Sequence, residues 1–103
     1  MKSKDIFDEL KNIDRLIHEP SRMAILALLL VVDEADFVFV MNKTGLSQGN
    51  LSSHLSKLEE AKLVDIEKKF KGKRPQTILR ISKKGKEEFQ NYLIRMKIIY
   101  KNI

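Results

Sequence analysis

The side chains in this chain best suited to chemistry lie in one stretch, TGLSQGNLSSHLSKLEEA, from Thr44 to Ala61. Gln, Asn, Ser and Lys all have hydrogen-bond pairings with base edges, and small side chains let a helix approach a groove closely. Ser47 is a suitable N-cap for such a helix. Leu46 before it and Leu51 four residues into it have the spacing of a hydrophobic staple. Leu51, Leu55 and Leu58 then recur at i, i+4 and i+7, a narrow stripe that must face a core. The opposite side presents Gly49, Asn50, Ser53, Ser56 and Lys57, with Gln48 and Ser52 at its flanks. A merely solvated helix would carry Glu/Lys pairs there, because Ser, Asn and Gly are mediocre helix formers. The competing reading of these residues is a capped surface helix with no ligand.

Other chemistries find less support. His18 and His54 sit on different elements and no paired carboxylates accompany them, so no catalytic residue is expected and the chain does not read as an enzyme. Asp33, Glu34 and Asp36 read as a solvated helix end. The chain has no cysteine, which excludes disulfides and thiolate metal sites and fits a reducing compartment. No metal and no cofactor are expected. The aromatics have core spacing rather than the array on a strand face that stacks RNA bases.

The elements that position the central stretch can be read from periodicity. Residues 4–17 place Ile6, Leu10, Ile13 and Ile17 at 4-3-4 spacing, which predicts an amphipathic helix of about four turns. His18-Glu-Pro20 breaks it, and Pro20 can open the next helix at its first position. From Ser21 to Val32 the chain is nearly all apolar after Arg22, which predicts the most buried helix. Asp33-Glu34 ends it. Ala35 to Met41 is ambiguous between strand and helix; a short strand at Ala35–Phe37 followed by a short helix to about Lys43 is expected. After the central helix, Leu63 to Phe70 begins with the alternation of a half-buried strand. Lys71-Gly-Lys-Arg-Pro75 is a basic turn, and Gln76 to Ile81 returns with Thr77, Leu79 and Ile81 on one face.

Ser82 caps a last helix running to the C-terminus, 22 residues that would span about 33 Å. Lys83, Lys84 and Lys86 occupy its first turn, the wrong sign for the helix dipole by about 0.3–1 kcal/mol each. A phosphate backbone nearby would account for them, as would a solvated lysine cluster. Phe89, Leu93, Met96, Tyr100 and Ile103 keep 4-3-4-3 spacing, with Ile99 alongside. Such a seam calls for another helix. With Ile6, Leu10 and Ile13 of the first helix it predicts a two-fold dimer interface, against the alternative of packing within one chain.

At 103 residues the chain forms one domain (1–103), with 43% hydrophobic and 33% charged residues, as in a globular protein. Its longest apolar run, Met23–Val32, is half a membrane span, and no apolar signal segment opens the chain. No membrane association is expected, and the protein reads as cytoplasmic. The net charge of +6 is segregated: residues 1–41 hold five cations and eight acids, residues 42–103 fifteen and six. Nine of these cations and no acid lie between Lys68 and Lys86. One-sided segregation of this kind points to an acidic partner.

In this order of elements and in its residues the chain resembles the small prokaryotic winged helix-turn-helix regulators grouped with the MarR and ArsR families. HEPSRMAILALL (18–29) is similar to their opening core helix, LSQGNLSSHLSKLEEAKLV (46–64) to their recognition helix and following strand, and GKRP (72–75) with ISKKG (81–85) to their wing and the start of their last helix. The resemblance covers residues 12–90. It implies an α+β, mostly α fold: a helix-turn-helix over 37–61, a wing hairpin over 63–81 in a two- to three-stranded sheet, and dimerisation helices at 1–17 and 83–103. It implies a homodimeric transcriptional regulator of double-stranded DNA, with residues from Ser47 to Lys57 in a major groove. Gln48, Gly49, Asn50, Ser52, Ser53 and Lys57 would make the contacts there. Lys71, Lys73, Arg74 and Gln76 of the wing would meet the backbone or the minor groove. His54 aligns with a histidine common in these helices but lies beside the leucine stripe, which suits packing or a phosphate better than base reading.

Two features depart from the pattern. Lys62 stands where these proteins have glycine, at a cost of about 1 kcal/mol if the left-handed conformation is kept. The cysteine motif of the metal-sensing members is absent. Whether a small-molecule effector binds is left open by the residues. The alternative function is a winged-helix protein-interaction module, which would need an exposed apolar patch that the groove-facing residues do not supply.

Overall fold

A computed structural model describes residues 5–103. The elements run α1 (Ile6–Lys11), α2 (Pro20–Val32), β1 (Glu34–Asp36), α3 (Phe37–Thr44), α4 (Gln48–Glu60), β2 (Val64–Lys71), β3 (Arg74–Ile81) and α5 (Lys83–Lys101). The strands form one antiparallel sheet in the order β1-β3-β2. The fold class is therefore as expected: mostly helical, with a three-stranded antiparallel sheet ending in a wing.

The first helix is shorter than periodicity suggested. Residues 1–4, where it was expected to begin, lie outside the described residues, and α1 stops at Asn12. Asp14 is the cause: its Oδ1 accepts from the Leu16 and Ile17 amides at 2.9 and 3.1 Å, competing with helical bonding. Ile17 is nonetheless fully buried, so the spacing found a core residue but not the path of the chain. In α2, Pro20 takes the first position and the Glu19 carboxylate caps the Arg22 amide. Ile25, Leu26 and Leu29 are completely buried, but Val31 is 81% exposed. The helix is apolar all round, yet the chain covers only one side. β1 falls one residue earlier than expected, and Phe37 opens α3, which runs on to Thr44, because Asp36 caps α3 by accepting from the Phe39 amide at 2.8 Å.

The turn into α4 closes at Gly45 (φ 73°). Ser47 caps α4 through Asn50 N–H (3.1 Å), and Leu51, Leu55 and Leu58 are buried against the core. The helix ends in a Schellman motif: Lys62 N–H donates to Glu59 O and Leu63 N–H to Leu58 O, both at 2.9 Å. Lys62 takes the left-handed conformation, φ 65°, that its glycine counterpart would adopt without strain. Leu58 and Leu63, the pair this motif brings together, are fully buried.

β2 and β3 pair from Val64↔Ile81 to Lys71↔Arg74, so the turn is only Gly72-Lys73, with Gly72 at φ 65°. The expected five-residue turn is narrower because Arg74 and Pro75 belong to β3. Residues flanking a two-residue turn exchange both backbone bonds, so at the next pair, Phe70↔Pro75, the backbone positions point outwards. There β1, which reaches only to Ile78, makes no demand on the amide that proline lacks. Ile78 is buried on the sheet face opposite Leu79, a burial that the one-faced reading of this strand omitted.

Ser82 caps α5 and donates to the Lys62 carbonyl at 2.6 Å. Gly85 lets the helix sit on the start of β2: a Cβ there would collide with the Leu63 carbonyl oxygen. Phe89, Tyr92, Met96 and Ile99 are buried within the chain. This corrects the expected interface, since three of its residues (Phe89, Met96 and Ile99) are already covered by their own chain. α5 packs on both α1 and α2. Ile6 and Ile13 are half-buried against that core. Leu93, Tyr100 and Ile103 are exposed, as is Leu10. The spacing marked one stripe of α5, of which the chain covers the edge at Phe89, Met96 and Ile99 and leaves the edge at Leu93 and Tyr100 open.

Candidate nucleic-acid interface

The outward side of α4 is polar along its length. Ser47, Gln48, Gly49, Asn50, Ser52, Ser53, Ser56 and Lys57 are all exposed, and no large apolar side chain of the helix is. Ser47 also serves as the cap, so its oxygen is already engaged by the Asn50 amide. With three leucines buried on the inner side, α4 cannot rotate to hide this ridge.

His54, on the flank, is held inside. Its Nδ1 lies 3.0 Å from an Arg22 guanidinium nitrogen and 3.9 Å from Glu19 Oε1, and its side chain is 19% exposed. Arg22 is only 9% exposed, and its Nε also donates to Leu16 O at 2.5 Å. Arginine has no acceptor atom, so Nδ1 of His54 must accept and the ring proton sits on Nε2. The pair ties α4 to the start of α2. Sequence reading missed Arg22 because its partner is 32 residues away and neither residue type announces the pairing.

Between α4 and the sheet runs an open groove of about 620 Å³, lined by Gln48, Ser52, Ser56, Lys68 and Thr77 among others. Beside Phe37, Leu55 and Ile66, its lining offers hydroxyls, an amide and an ammonium group, the set that phosphate oxygens accept from. Glu59 also lines it. Lys68 and Thr77 were not among the expected site residues. Alternation could have found Lys68: it follows Val64 and Ile66 on the same face of β2.

On the wing, Lys71, Lys73 and Arg74 are exposed and Gln76 is half-buried. Lys71, Arg74, Lys69 and Gln76 share the face opposite that of Lys68 and Thr77. Among the described residues none of these cations has an ion-pair partner. Three further cations of the basic run behave differently. Arg80 donates to Glu67 at 2.8 Å and Glu34 at 3.4 Å, across both neighbouring strands. The hydrogen bond with Glu67 raises the guanidinium's pKa and lowers that of the carboxyl. Lys84 donates to the Ala61 carbonyl at the end of α4 (3.0 Å), and Lys86 lies 3.4 Å from Asp33. These two first-turn lysines of α5 thus have partners inside the chain, a third explanation beside the two that the sequence suggested.

No group of His, Asp and Glu among the described residues is arranged to hold a metal, and none of their helices is long and apolar enough to cross a membrane.

Residues 21–100 match the winged helix DNA-binding domain family. The chain is 36% identical over 89 residues to an uncharacterised protein of Methanocaldococcus jannaschii, covering 86% of this chain and 97% of the other. It is similar to a transcriptional regulator homologue of Pyrococcus horikoshii OT3: 32% identity, TM-score 0.87, 92% of this chain and 96% of that one. A MarR-family transcriptional regulator of Silicibacter pomeroyi shares the fold at 18% identity, with TM-score 0.66 over 94% of this chain and 64% of that one.

Proposed function

The chain belongs to the winged helix DNA-binding domain family, and on that premise we propose that it is a transcriptional regulator that binds specific double-stranded DNA sequences as a homodimer. One observation carries this reading: the polar ridge from Gln48 to Lys57 is wholly exposed on a helix locked by three buried leucines, beside a hairpin rich in solvent-facing cations. In each protomer α4 enters a major groove, and the two half-sites lie one helical turn, about 34–36 Å, apart. Gln48 or Asn50 reads adenine, with Gly49, Ser52 and Ser53 allowing close approach. Lys57, Lys71, Lys73, Arg74 and Gln76 grip the sugar-phosphate backbone or the edge of the minor groove, and Lys68 and Thr77 hold the phosphates that cross the groove beneath α4.

The test is selection of bound duplexes from a random pool at stated salt, followed by titration. With about 6–10 phosphates neutralised per dimer, affinity falls about 10³–10⁵-fold between 50 and 200 mM salt. Replacing Lys73 and Arg74 with alanine weakens all sequences alike and flattens the salt slope, whereas Asn50→Ala changes the preferred sequence. A salt-independent constant, or equal effects of Asn50→Ala on selected and random duplexes, would count against this assignment.

A further inference from the structure

The hairpin carries an aromatic ring that nothing among the described residues covers. Phe70 is 72% exposed, one pair in from the turn and directly opposite Pro75. In a two-residue hairpin this is a non-hydrogen-bonded pair, the kind whose side chains stand closest, so ring and pyrrolidine form one apolar knob. Lys68 shares its face, Lys73 lies in the turn, and Lys69, Lys71 and Arg74 stand on the other face of the same two strands; between Lys68 and Gln76 the hairpin has no acid.

An apolar knob near the tip of a hairpin that carries cations on both faces and in its turn fits a polyanion whose apolar interior can be reached between two rows of charge. A duplex offers this at the minor groove, where phosphates flank stacked bases and a phenylalanine can wedge a step apart. An apolar protein surface would satisfy the ring and leave the cations of the hairpin without counter-charge. Phe70 lies on the same face of β2 as Val64, Ile66 and Lys68, and Ile66 and Lys68 line the groove beside α4. A phosphate strand crossing that groove therefore passes the knob on its way outwards.

We propose that Phe70, backed by Pro75, is an apolar wedge that enters the minor groove next to the major-groove segment met by α4 and partly unstacks one base step. Specificity then arises at a position α4 never touches, with a preference for the easily unstacked pyrimidine–purine steps. This rests on the reading of α4 as the major-groove helix.

The experiment uses the full chain and duplexes selected by the unaltered protein from a random pool, with 2-aminopurine placed in turn along the flanks. The unaltered protein raises the fluorescence at one step about five base pairs, half a helical turn, from the positions sensitive to Asn50→Ala. Phe70→Leu keeps part of that signal. Phe70→Ala removes it and weakens binding about 10–100-fold, the worth of one buried phenylalanine, while the salt slope stays the same because every cation on the phosphates is still in place. Thermal melting of Phe70→Ala matches the unaltered protein, since the ring is exposed. Unchanged fluorescence and affinity in Phe70→Ala, with Asn50→Ala still altering preference, overturns the wedge alone. Failure of the unaltered protein to select any duplex overturns the reading of α4 and the wedge with it.

Discussion

Lys62 shows how a single residue can sit against its own preference for the sake of its neighbours. The Schellman turn that ends α4 requires a left-handed residue, and lysine at φ 65° supplies it under strain. The Lys62 side chain is exposed, so glycine relieves the strain without opening a gap in the core. Lys62→Gly should raise stability by about 1 kcal/mol, partly offset by the greater freedom of glycine in the unfolded chain; denaturant midpoints with unchanged m-values would register it. The lysine's presence was readable, and so was the conformation asked of it. The Arg22–His54 contact was not, because it joins residues on two helices whose mutual approach no local spacing encodes.

At the scale of the element, the wing divides its cations into two classes. Lys69, Lys71, Lys73 and Arg74 face solvent with no ion-pair partner among the described residues, while Arg80 binds β1 and β2 to the strand between them through Glu34 and Glu67. The hydrogen bond from Arg80, helped by the charges of Arg80 and Lys69, holds the Glu67 carboxyl below the usual glutamate range. A lowered folded-state value means that the pair stabilises the sheet above the unfolded glutamate pKa of about 4.3 and loses that contribution as pH falls through the folded value. Glu67→Gln should therefore flatten the acid limb of the melting temperature against pH, by a small amount because the pair is exposed. A limb unchanged by the substitution would assign the acid sensitivity elsewhere. The charge run from Lys68 to Lys86 was plain in the sequence. That Arg80 and Lys86 are spoken for inside the chain was not, since their partners lie between 13 and 53 residues away; Lys84, besides its bond to Ala61, has Glu88 at 3.6 Å, an i,i+4 pair that spacing does encode.

Taken whole, the molecule is elongated, 61 × 25 × 21 Å, with a radius of gyration of 15.8 Å against about 13 Å for a compact chain of this length. One apolar surface is left over on α5: Ile94 and Ile98 on the side away from Phe89 and Ile99, with Leu93 and Tyr100 exposed beside Met96. With Phe7 and Leu10 on α1 it is the surface the proposed homodimer would bury. Ile98→Asp together with Leu93→Asp should leave the fold intact, as judged by circular dichroism, and shift sedimentation from dimer to monomer. Affinity for a two-half-site duplex should then drop about 10²–10⁴-fold as the second binding event ceases to be intramolecular. An unaltered protein that sediments as a monomer would remove the two-fold arrangement while leaving α4 as a reader of one half-site.

The sequence by itself determined the identity and order of the elements, the buried face of α4 and its polar ridge, and the segregation of charge towards the C-terminal half. Those follow from periodicity, capping residues and counts, which act over a few neighbours along the chain. Only the tertiary structure decided which cations are paired within the chain, which face of α5 is already filled, and that Lys68 and Thr77 wall a groove beside the ridge. Burial and pairing depend on what comes to lie opposite a side chain in space, and local spacing carries no information about that.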